Sequence, residues 1–160
     1  MPGLEDLYRE IILDHYRNPR NRGELEAPPA HRVEGFNPLC GDEVVVYLLV
    51  DDGRVTDVKI DGQGCSISQS SASMMSSAVK GKTLDEVSDL TRAFKAMMSI
   101  HESDLEGADV ADDDDEVPDV RLGDLEALRG VVKFPVRIKC ATLSWNTLAQ
   151  AAEEARAAGD

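Results

Sequence analysis

The amino-acid sequence predicts an α+β fold: a small antiparallel sheet of two or three strands with helices packed on one face. Three observations carry this. The β-branched and apolar run Val44–Val50 is followed by the turn signal Asp51-Asp52-Gly53 and a second strand-like run, Val55–Ile60; together they read as a β-hairpin. From Ser66 onward the pattern is helical or loop-like. Strands followed by helices indicate segregated layers. With 160 residues and 42% hydrophobic side chains, the chain is expected to form one domain spanning 1–160, large enough for one core.

Each element has its own signal. Leu4, Leu7, Tyr8, Ile11 and Ile12 fall at helical spacing, and Asn18-Pro19 stops that helix. Residues 20–38 are loop-like, with room for a short strand around Val33–Phe36. In the second hairpin strand Thr56, Val58 and Ile60 are predicted on one face, Asp57 and Lys59 on the other. Gly62-Gln63-Gly64 ends the sheet, and Ser66–Val79, rich in Ser, Ala and Met, suits a short helix in close packing. Thr83-Leu84-Asp85-Glu86 is a capping box, opening a helix with Leu84, Val87, Thr91, Phe94 and Met98 on its stripe. A short helix is predicted over Leu122–Leu128, closed by Gly130. After a break at Lys133-Phe134-Pro135, a last helix is predicted from about Lys139 to Ala157, with Leu148, Ala151, Ala152 and Ala155 on one stripe.

Charge narrows the partners. The net charge is −14, with 31 acids against 17 Lys and Arg. Phosphate backbones and anionic bilayers are bound by basic surface, so neither nucleic acid nor a membrane is expected as a partner. Ten of the acids lie between Glu102 and Asp119 with no Lys or Arg among them. They are expected to form a self-repelling acidic loop insertion at about 100–120. The spaced ligands and central glycine of a calcium loop are absent from it. The start of the chain has neither the basic flank nor the apolar stretch of a signal peptide, and a cytoplasmic location is expected.

Three cysteines, an odd number in a reducing compartment, do not make a disulfide framework. Cys40 enters the first hairpin strand; if that stretch is extended, Cys40 and Asp42 point the same way. Cys65 follows Gly62-Gln63-Gly64 and opens a helix, where unpaired backbone N–H groups stabilise a thiolate. Cys140 is placed at the start of the last helix, between Lys139 and Ala141 and close to Arg137. Cys40, Asp42, Cys65 and Cys140 supply the four donors of a tetrahedral zinc site. Their spacing leaves the alternative open that the cysteines are small core residues.

Longer motifs add to this. Pro38-Leu39-Cys40-Gly41-Asp42, Gly62-Gln63-Gly64-Cys65-Ser66-Ile67-Ser68 and Phe134-Pro135-Val136-Arg137-Ile138-Lys139-Cys140 through Trp145 resemble the IscU/NifU-N family of iron–sulfur cluster assembly proteins, most of all its SufU branch. Leu7-Tyr8, His15 through Asn21 and Ser71-Ala72-Ser73-Met74-Met75 extend the likeness across most of the chain outside the acidic stretch. The resemblance implies a zinc-dependent sulfurtransferase that accepts sulfane sulfur from the persulfide of a SufS-type cysteine desulfurase. It would pass the sulfur to a downstream SUF cluster assembly scaffold. It implies Cys40, Asp42, Cys65 and Cys140 as metal ligands and Cys40 as sulfur acceptor, with Cys140 as runner-up. Two other readings stand beside it: an IscU-type scaffold with a transient iron–sulfur cluster on the same cysteines, and a non-catalytic zinc adaptor that activates the desulfurase. Scaffolds of the family carry His immediately before the third cysteine; Lys139 stands there in this chain and favours the SufU reading.

Neighbouring residues have plainer roles. Arg137 is expected either to stabilise the charge of Asp42 or a thiolate, or to form a surface ion pair. Lys139 is expected to face solvent near the site. His15 reads as a packing or hydrogen-bonding residue, and His31 and His101 as loop residues. Met74 and Met75 read as core, and Trp145 as the packing anchor of the last helix.

Overall fold

A computed structural model of the chain describes residues 2–27, 29–38, 41–106 and 122–159. Cys40 and most of the acidic stretch lie outside the described residues, as do the side chains of the first seven residues and of 99–106. The order is α1 (Pro2–Arg17), β1 (His31–Asn37), β2 (Asp42–Asp51), β3 (Arg54–Gln63), α2 (Ser66–Val79), α3 (Leu84–Glu106), a 3-10 helix (Gly123–Lys133) and α4 (Pro135–Ala158). The sheet is antiparallel with order β1-β2-β3. Its inner face, including Val33, Val44, Val46, Leu48, Val58 and Ile60, forms one core with the helices.

The hairpin turns where its sequence signal stands. Asp52 and Gly53 both have positive φ, 57° and 75°, the two-residue type I′ geometry that matches strand twist. One alternation differs from expectation. A register shift between Leu49 and Val50 pairs Val50 with Val55 and Leu49 with Asp57. Thr56 is therefore bulged outward, its hydroxyl donating to the Leu49 carbonyl at 3.2 Å, and Val55 takes the buried position instead.

Three boundaries also differ. β1 is a full seven-residue strand, paired along its whole length with β2. The segment after Leu122 is a 3-10 helix that runs through Gly130 to Lys133. Pro135 starts α4 where the sequence predicted a break: a proline at the first helical position gives up an N–H that has no partner there. Cys140 consequently sits inside α4, fully buried, instead of at its start.

The small side chains of α2 let α4 approach closely. The Ser71 hydroxyl donates to the Ala141 carbonyl at 2.6 Å and accepts the Trp145 indole N–H at 3.2 Å. Trp145 also stacks on Phe94, ring centroids 4.7 Å apart, tying α3 to α4. His15, buried, is held by Ser73 of α2 at 2.8 Å and Asp124 of the 3-10 helix at 3.1 Å, the hydrogen-bonding role expected of it. Met74 and Met75 lie in the core.

The capping box is formed as predicted. The Thr83 N–H donates to Glu86 Oε1 at 2.9 Å, and the Glu86 N–H to Thr83 Oγ1 at 3.1 Å. The backbone hydrogen bond from Thr83 holds the Glu86 carboxyl below the usual range. That contribution is present above the unfolded carboxylate range and is lost as pH falls through the lowered folded value. Thr83→Ala is expected to lower stability by about 1 kcal/mol, read as a reduced urea midpoint at unchanged slope. Among the described residues no helix is long and apolar enough to cross a membrane.

Candidate metal centre

Three elements bring the donors together. Asp42 opens β2, its Cα opposite Asn37 at the end of β1. Cys65 is the N-cap of α2, and Cys140 projects from the second turn of α4. One ligand atom from each of Asp42, Cys65 and Cys140 lies within 4.8 Å of the other two. Asp42 and Cys140 are fully buried and Cys65 is partly exposed.

The carboxylate is fixed before any ion arrives. Asp42 Oδ1 accepts the Cys65 backbone N–H at 2.9 Å, which leaves Oδ2 3.8 Å from Cys65 Sγ. Gly64 makes this approach feasible: a Cβ there would stand 2.5 Å from Oδ1 and 3.1 Å from the Asp42 Cα. The Ser68 N–H points at Cys65 Sγ at 3.5 Å, and Asn37 Nδ2 donates to Cys140 Sγ at 3.9 Å. Both sulfurs therefore meet N–H donors, which suits negative sulfur.

Arg137 lies two residues before Lys139, on the first turn of α4. Its guanidinium is held charged chiefly by the Cys65 sulfur, then by a hydrogen bond to Cys140. The guanidinium therefore lies near the two sulfurs. Lys139 is exposed beside them, as expected. His15 and His31 stand outside the cluster, and the His101 side chain lies outside the described residues. So does Cys40, with the expectation that it points the same way as Asp42. Sequence reasoning missed Asn37 and Gly64 as supports; their closeness in sequence to the cysteines did not show which atoms they would meet.

The donor set fits a zinc-like ion. Tetrahedral coordination with Zn–S of about 2.3 Å and Zn–O of about 2.0–2.2 Å puts sulfur and oxygen ligands roughly 3.6 Å apart, close to the 3.8 Å between Cys65 and Asp42. Two soft sulfurs and one hard oxygen also match that metal's preferences. On its outer side the cluster opens, at Cys65 and Arg137, onto an apolar groove of about 1060 Å³ walled by Tyr8, Ile12, Ile67, Val131 and Phe134.

A helix-backed three-stranded sheet holding two thiols, one buried and one partly exposed, and a buried carboxylate beside an arginine defines a class of metal-competent sulfur protein. The chain belongs to the family of NifU-like N-terminal domains, whose model matches residues 7–141. It is 46% identical over 145 residues to the zinc-dependent sulfurtransferase SufU of Bacillus subtilis, covering 91% of this chain and 88% of that protein. It is 36% identical over 148 residues to the iron–sulfur cluster assembly scaffold protein IscU of Streptococcus pyogenes, covering 92% and 84%. The structure of a nitrogen-fixing NifU-like protein (N-terminal) from Brucella abortus superposes with a TM-score of 0.73 at 28% identity, over 94% of this chain and 97% of that one. The chain is thus a member of a family of iron–sulfur cluster assembly proteins.

Proposed function

We propose that this protein is a zinc-dependent sulfurtransferase that takes sulfane sulfur from a cysteine desulfurase and supplies it to a SUF-type cluster assembly scaffold. The observation that carries this reading is the Asp42–Cys65–Cys140 cluster with Arg137 turned to its sulfurs. The SufU relative supports it, as does Lys139, a protonated amine that cannot ligate metal. In this reading the whole chain is one domain, with the acidic segment as an insertion.

Cys40, Asp42, Cys65 and Cys140 would hold the ion. When bound, zinc supplies positive charge that keeps thiols deprotonated at neutral pH. The chain's own residues do the rest. Asp42, anchored by the Cys65 N–H, fixes the oxygen donor, and Arg137 balances negative sulfur. The Cys40 thiolate attacks the outer sulfur of the partner's persulfide. A new S–S bond forms on Cys40, the partner's S–S bond breaks, and the partner cysteine leaves as thiolate. The apolar groove beside Cys65 is the surface offered to the desulfurase.

Elemental analysis combined with persulfide trapping after mixing with a desulfurase and L-cysteine tests the reading. About one zinc per chain and a labelled persulfide on Cys40 are expected, and Cys40→Ser is expected to lose that label. Normal sulfur uptake by Cys40→Ser would refute the assignment. A brown protein with iron in place of zinc would support the scaffold reading. Full stimulation of the desulfurase by a zinc-loaded variant unable to carry sulfur would support the adaptor reading.

A further inference from the structure

A second concavity borders the cluster on another side. It holds about 460 Å³ between β1, α3 and α4 and shares no lining residue with the apolar groove. Its lining carries charge of one sign only. Lys95 from α3 and Lys139 from α4 line it, and no Asp or Glu does among the described residues. Among the described residues neither lysine forms an ion pair, so both ammonium groups are available to a ligand.

The remaining lining completes the chemistry. Asn146, exposed on α4, adds an amide donor at the same wall. Met98, Ile138 and Leu143 give an apolar floor, and Phe36, 58% exposed, stands at the rim. A pocket of this size with an apolar floor and a few converging polar groups has the make-up of a small-molecule site. We propose that the cleft binds a low-molecular-weight carboxylate with an apolar body, its anionic groups held by Lys95 and Lys139 and by the Asn146 amide.

Charge decides the size of the ligand. An acidic polypeptide would meet the repulsion of the whole protein, whereas a small dianion feels mainly the two lysines within a screening length of about 8 Å. Lys95 has its pKa lowered by burial, and a bound carboxylate would relieve that cost. The occupant would not be isolated from the metal centre. Asn37 lines the cleft and also donates to Cys140 Sγ at 3.9 Å, so a ligand here touches a residue that supports the sulfur.

Phenylsuccinate, a dicarboxylate with a phenyl body, is the probe. Titrated into the full chain at physiological salt and followed by amide NMR, it is expected to shift Asn37, Thr142 and Asn146 along one saturable curve. A dissociation constant of about 1 mM or tighter is expected. Lys95→Met and Lys139→Met should each weaken binding about tenfold. Lys139→Arg, which keeps the charge on an exposed side chain, should retain it. Equal binding of the neutral diamide, shifts centred on Arg137, or unchanged affinity in both methionine variants would each overturn the proposal. The readout is independent of whether the protein transfers sulfur.

Discussion

In the metal-binding reading proposed above, Gly64→Ala is expected to weaken the metal centre sharply while leaving the protein folded. The added Cβ would stand 2.5 Å from Asp42 Oδ1, 3.0 Å from its Cγ and 3.1 Å from its Cα. A flexible tip could swing clear of the first contact, but a backbone atom cannot, and the same Oδ1 is already engaged with the Cys65 N–H. Relief requires β2 and the start of α2 to move apart, carrying the oxygen away from the sulfurs. Overpacking of this kind costs about 1–3 kcal/mol, which most domains survive. If the ion is the zinc proposed above, its affinity is expected to fall about 10–100-fold, the range for lost support of a ligand. Competition with a chromophoric chelator measures it, alongside a thermal melt of the metal-free protein. Native affinity in Gly64→Ala would show that the close approach has no bearing on the centre.

Trp145→Ala is expected to be the most damaging single truncation in the core. The indole is fully buried, stacks on Phe94 and donates to Ser71. Truncating a buried Trp costs about 3–5 kcal/mol, against a total stability of about 5–15 kcal/mol. Trp145→Phe keeps a ring against Phe94 but gives up the hydrogen bond, so an intermediate loss is expected. Chemical denaturation of the three proteins would rank them. A loss below about 1 kcal/mol for the alanine variant would mean that α4 is held by other contacts. The effect should reach the metal centre, because Cys140 lies on the same helix and Ser71 bonds to both Trp145 and the Ala141 carbonyl.

Much of this arrangement was legible in the chain because the governing signals are local. The Asp-Gly turn, the Thr83–Glu86 cap and the stripe from Leu84 to Met98 need only nearby residues, and each is formed as read. The bulge at Thr56 was not legible, since register is set between strands and Thr has ample strand propensity. Pro135 was misread for a related reason. A proline that breaks a helix and one that begins it look alike until the helix is seen. At the centre, spacing left both ligands and core thiols open, and family motifs named the residues. Only tertiary packing shows Asn37 and Gly64 beside them, because nothing in an isolated Asn or Gly announces the sulfur or carboxylate it will meet.

The donors come from β2, α2 and α4, so one sulfur is supplied by the last of the described helices. During synthesis from the N-terminus, Asp42 and Cys65 leave the ribosome well before Cys140 does. Domains fold as units, and the earlier donors have no complete pocket to offer an ion until α4 docks. Loading of the centre would then report a chain extended through α4, and any nascent fragment stopped short of α4 would carry its thiols without their last partner.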